Sequence, residues 1–87
     1  MNKTEILKAF GARVKAMRKA KGITQTGLAK AIGKKRYAIQ RLEAGNADPS
    51  YHYVCQLAKE LDVPLEVLID IDYTSLEQPE ILHLKLA

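Results

Sequence analysis

Four cations crowd into one stretch of this 87-residue chain: "GKKRYAIQRLEAG", residues 33 to 45, holds Lys34, Lys35, Arg36 and Arg41 against a single acid, Glu43. The two kinds of cation do different chemistry. A guanidinium presents a planar fork of N–H donors that fits a phosphate, a carboxylate or the edge of a guanine two bonds at a time, whereas an ammonium is a compact, mobile point charge. A basic turn running into an ordinary helix would carry the same residues. Type and spacing therefore leave two readings, a solvated face or a surface made to meet something negatively charged.

Elsewhere the chemistry is thin. His52 and Cys55 stand three apart, a spacing found in metal sites, but two ligands without further partners do not hold a metal, and His83 is distant in sequence. Cys55 is the only cysteine. It can close no internal disulfide, has no evident base to activate it, and reads as a small hydrophobe. The glycines lack the spacing of a phosphate-binding loop. No catalytic centre, metal or cofactor is expected, and the chain is not read as an enzyme.

The net charge of +4 conceals a division along the chain. Residues 1 to 45 carry twelve Lys and Arg against Glu5 and Glu43, a balance of +10, while residues 46 to 87 carry Lys59 and Lys85 against eight acids, a balance of −6. Such asymmetry points the first half at a polyanion, and at nucleic acid before membrane because no strongly apolar amphipathic face accompanies the charge. The composition, 47% hydrophobic and 28% charged, is that of a globular protein and argues against disorder. Neither a signal peptide nor a run of about 18 apolar residues is present, so a cytoplasmic protein with no membrane partner is expected. One small domain suits the length.

Helical periodicity supplies the elements that must hold the cations. Ile6, Leu7, Phe10, Val14 and Met17 recur at intervals of three and four, with Thr4 as cap and Gly22 as stop. Thr24 can cap a second helix, "QTGLAKAI", with Leu28, Ala29 and Ile32 facing inward and Gly33 ending it. A third helix follows over 35–44. Only Ala38, Ile39 and Leu42 are apolar there, so a narrow stripe is buried and Arg36, Tyr37, Gln40 and Arg41 face outward. Gly45 closes that helix, "NADPS" makes a turn in which Asp48 or Ser50 caps a fourth with Pro49 in its first turn, and Val54, Leu57, Ala58 and Leu61 form its inner face. "DVP" breaks the fourth helix and Pro64 opens a fifth, "PLEVLI". The expected fold is all-α: a compact five-helix domain over residues 1–69 with a C-terminal tail, 70–87. In the tail, Leu82, Leu84 and Leu86 alternate with His83 and Lys85 as in a strand that would pair across a dimer; a disordered end or a short helix fits the composition equally.

Around Gly33 the spacing is most specific. Leu28, Ala29, Gly33, Ile39 and Leu42 place a small residue, a turn glycine and two apolar anchors where two short helices cross closely at a steep angle. On "RVKAMRKAKGITQTGLAKAIG", "AIQRLEAG", "DPS" and "LAKELDVPLEVL", the sequence resembles the phage lambda repressor and Cro-like (XRE-type) helix-turn-helix family of bacterial and phage transcription regulators. The match extends from roughly residue 8 to residue 69.

That resemblance implies a recognition helix in the major groove of double-stranded DNA, its N-terminal residues at the base edges. Arg36, Tyr37, Gln40 and Arg41 then read bases: arginine forks onto guanine, glutamine pairs with adenine, and tyrosine stacks on a sugar or meets a thymine methyl unless its ring packs back onto helix two. Gln25, Lys34, Lys35 and Asn46 are the phosphate contacts it implies. Lys34 departs from the family pattern, which is apolar or neutral there, and either grips phosphate or lays its stem along the surface. Gly27 departs too, where the family has a better helix former; a close approach to DNA and simple drift both account for it. Arg18 and Glu43 match a pair that braces the recognition helix, their alternative being two unpaired surface ions.

Family members usually bind as two-fold dimers, so a homodimer on an inverted repeat is implied, with Val67, Leu68 and Ile69 either at the interface or completing the core. The function implied is a sequence-specific transcription regulator, a repressor or autoregulator. The alternative is an antitoxin-type module of a toxin–antitoxin pair, binding its own promoter and wrapping a basic toxin with the acidic tail.

Overall fold

The computed structural model describes residues 2–71, which form five helices in sequence: α1 Lys3–Ala20, α2 Gln25–Ala31, α3 Arg36–Glu43, α4 Tyr51–Glu60 and α5 Leu65–Leu68. Among the described residues there is no strand. The strand read at Leu82, Leu84 and Leu86 lies outside them.

Helix α1 begins earlier than the expected cap at Thr4. Asn2 is the cap, its side chain accepting the N–H of Glu5 at 2.8 Å. Asparagine caps at least as well as threonine, and this register brings Glu5 into the first turn, beside the partial positive charge of the helix end. Thr24 caps α2 as the sequence predicts, accepting the N–H of Gly27 at 2.9 Å. In α4 the choice falls on Ser50, which accepts the N–H of Tyr53 at 3.1 Å, and Pro49 stands before the helix, not in its first turn. The residue ahead of a proline is steered away from helical backbone, so Ser50 is the first position from which the helix can start. Asp48 is released to pair with Lys3 at 2.9 Å.

The turn between α2 and α3 decides how the two helices meet. Gly33 has φ +71°, the N–H of Lys34 reaches the carbonyl of Ala29 at 2.8 Å, and that of Gly33 reaches Lys30 at 3.2 Å. These paired bonds satisfy the last carbonyls of α2 while reversing the chain within two residues, which glycine does without steric cost. Helix α3 then packs across α2 over Ala29, which is fully covered. Gly45 ends α3 in the same way at φ +80°, with space as well as conformation demanding glycine: a Cβ there would lie 2.8 Å from Cα of Lys8. Gly27 is different. A Cβ would meet only the side chains of Thr24 and Ile23, at 3.1 and 3.7 Å, so no backbone of the fold excludes a larger residue.

The core joins all five helices: Phe10 and Val14 from α1, Leu28 and Ala29 from α2, Ile39 and Leu42 from α3, Leu57 and Ala58 from α4, Leu61 at its end, and Leu68 from α5. Each large aliphatic side chain so buried is worth about 1.5–3 kcal/mol against leaving it in water. Leu68, a candidate for the dimer interface, is 0% exposed and belongs to this core, because the single turn of α5 points it inward. Ile69 beside it is 42% exposed. Ile71 packs partly against the core as well, carrying the packed unit past residue 69.

Candidate nucleic-acid interface

Helix α3 divides as its sequence divides. Ile39 and Leu42 are buried to within 1% and fix one side against α1 and α2, while Arg36, Tyr37, Gln40 and Arg41 are exposed on the other. Tyr37 is 59% exposed, so its ring does not fold back onto α2. Lys35 is the N-cap residue and makes no side-chain hydrogen bond to the helix, which leaves its ammonium at the end where free N–H groups also gather. The first turn of α3 is therefore positive from both side chain and backbone.

Glu43 does not oppose that charge in the open. Arg18 reaches it from α1 with a forked pair of bonds, Nε to Oε2 at 2.6 Å and Nη2 to Oε1 at 3.1 Å, while its Nη1 donates to the carbonyl of Ile23 at 2.8 Å. The two side chains are 8% and 4% exposed. The hydrogen bond to Glu43 pushes the Arg18 guanidinium above its usual pKa despite burial, which works the other way, so the pair stays ionised. A carboxylate neutralised inside the protein no longer repels an anion outside it. The brace read from the sequence is thus present and desolvated.

Gln25 sits half-buried at the start of α2 and is engaged twice. Its Nε2 donates to Oε1 of Glu43 at 3.1 Å and its Oε1 accepts from Nε of Arg36 at a longer 3.4 Å. Arg41 turns toward the loop after α3, donating from Nη2 to the main-chain carbonyl of Asn46 at 3.0 Å. Asn46 is exposed. Lys34 takes the packing alternative: its Nζ lies 4.4 Å above the ring centre of Tyr53 on α4, a cation over an aromatic face. Burial raises the Tyr53 hydroxyl above the usual phenol range, which keeps that ring neutral.

One structural cation escaped the sequence reading. Arg13 donates from Nε and Nη2 to the carbonyl of Val67 at 3.1 and 2.8 Å, tying α1 to α5. A fork onto a main-chain carbonyl 54 residues away has no sequence spacing to betray it. Of the other side chains singled out, His52 is exposed and Cys55 half-buried on α4. No helix among the described residues is long and apolar enough to cross a membrane.

Comparison with known proteins follows the same geometry. The sequence model of the helix-turn-helix family matches residues 14–68. An uncharacterized HTH-type transcriptional regulator, YazB of Bacillus subtilis (strain 168), is 37% identical over 59 residues, which are 68% of this chain and 86% of that protein. Among solved structures, the restriction-modification controller protein C.AhdI from Aeromonas hydrophila superposes with a TM-score of 0.74 at 31% identity, over 78% of this chain and 99% of that one. The clp gene regulator ClgR from C. glutamicum gives 0.69 at 28% identity, over 74% of this chain and 83% of that one.

Proposed function

This chain belongs to the helix-turn-helix family of DNA-binding transcription regulators, and from that premise we propose that it binds a specific operator as a homodimer and represses from it, its own promoter included. The observation that carries this reading is the exposed face of α3, with two arginines, a tyrosine and a glutamine turned outward and the one nearby acid neutralised from within. Arg36, Tyr37, Gln40 and Arg41 read bases. Lys35 at the helix start, Gln25 and Asn46 face the phosphate backbone, and Lys34, seated on Tyr53, contributes field more than contact.

Selection from randomised duplexes tests it. Wild type should return one preferred sequence with two half-sites about one helical turn, roughly 34 Å, apart. Arg36→Ala and Arg41→Ala should each relax preference at their own base pairs by about 1–3 kcal/mol. Lys35→Ala should instead weaken all sequences alike and lower the salt dependence of log K by about one ion. Absence of any preferred sequence in wild type would defeat the reading.

The dimer needs exposed apolar surface away from α3. An apolar groove lined by Ile6, Leu7, Phe10, Val54, Ile69 and Ile71 supplies it, with Lys3 and Asp48 paired at its rim. Both signs of charge at one edge suit a two-fold contact, in which a patch must complement itself. Ile69→Asp should therefore convert the dimer to monomer in solution with unchanged helix content, as read by mass and circular dichroism. Deleting residues 73–87 separates this interface from the tail: a truncated protein that still dimerises excludes tail pairing. The antitoxin alternative rested on the acidic tail, and no observation on the described residues favours it.

A further inference from the structure

We propose that Gln25 is a positioning residue for Arg36, and that it sets which edge of that guanidinium meets the base, not a phosphate grip; this rests on Arg36 reading a base, as above. The chain of hydrogen bonds has one consistent direction. Glu43 is an ionised acceptor held by Arg18, so only the amino end of the Gln25 amide can face it, and the bond from Nε2 to Oε1 of Glu43 measures 3.1 Å. That leaves the carbonyl end of the amide turned toward Arg36, where it accepts from Nε at 3.4 Å. Had the carboxylate been absent, the amide would be free to turn over and present donors to a cation.

The consequence for recognition is chemical. A guanidinium can approach the O6 and N7 of guanine side-on, through Nε and one terminal nitrogen, or end-on, through both terminal nitrogens. With Nε occupied by Gln25, the end-on fork remains. The long side chain of Arg36, exposed and otherwise free to adopt many rotamers, is tethered at its Nε, so less conformational freedom is lost when it meets the base. Arg18 and Glu43 thereby influence base choice without reaching DNA, through an amide whose orientation they fix.

Two substitutions at Gln25 test this, measured as affinity for the selected operator and for operators changed at the base pair that Arg36→Met relaxes. Gln25→Met keeps length and volume but removes both hydrogen bonds; it should reduce discrimination at that base pair about tenfold while the slope of log K against log salt stays as in wild type. Gln25→Glu keeps an acceptor for Arg36 yet repels phosphate, so it should bind more weakly overall and retain the discrimination. Adding Arg36→Met to Gln25→Met should cost no further discrimination, because both act through one contact. Full discrimination in Gln25→Met overturns the proposal, as does a salt slope lowered by about one with discrimination intact, the signature of a lost phosphate contact. A wild type without a preferred sequence defeats instead the parent reading, a result separate from both.

Discussion

Gly11→Ala is expected to leave most of the protein unfolded at 25 °C. Gly11 lies in the middle of α1, fully buried where that helix crosses the end of α3. A Cβ built on it would land on the carbonyl oxygen of Leu42 and within 2.8 Å of that of Glu43. Both obstacles are backbone, so no change of rotamer relieves them and the helices must move apart. Overpacking that side chains can absorb costs about 1–3 kcal/mol, and more where backbone has to shift. The opposing gain, replacing a mid-helix glycine by alanine, is only about 1 kcal/mol. A single core of this size rarely supplies more than about 3–5 kcal/mol in total. Urea titration followed by circular dichroism measures the difference; a midpoint equal to or above that of wild type would contradict it.

Removing Glu43 should be comparably damaging. Arg18 and Glu43 are 8% and 4% exposed, so Glu43→Ala strands a guanidinium away from water with the carbonyl of Ile23 as its remaining protein partner. Breaking one side of such a desolvated pair costs about 3–5 kcal/mol, against about 0–1 kcal/mol for a pair on the surface. The loss should persist at high salt, since buried charges are poorly screened. Replacing both members by apolar residues of similar size, Arg18→Met with Glu43→Leu, should recover much of the stability, because the penalty lies in the unpaired charge. A single Glu43→Ala loss below about 1 kcal/mol would place the pair among solvent-exposed bridges and remove the reason given for its burial.

These two sites differ in how far the sequence announced them. The Arg18–Glu43 brace was legible only through the family resemblance, on which both members stand at the matching positions. Gly11 passed unnoticed inside an otherwise regular helical pattern, although an unforced glycine within a helix is itself a sign of close approach. Lys34 went the other way: charge and position suggested a phosphate contact, and the ring of Tyr53, nineteen residues on, claims it. For Leu68, apolar character was equally compatible with core and interface, and burial assigns it to the core.

The sequence by itself determined the five helices, the glycine-ended turns, the buried stripe of α3 and the cationic face opposite it. Those features are local: capping, helical period and left-handed glycine act within one or two turns, so the residues that cause them are neighbours in the chain. Only the tertiary structure decided that Gly11 carries the crossing of α1 and α3, that Arg13 clamps α5, and that Glu43 reaches Arg36 through the amide of Gln25. Such contacts join residues 11 to 54 positions apart. Their partners are chosen by how the helices pack, and packing depends on the whole core at once.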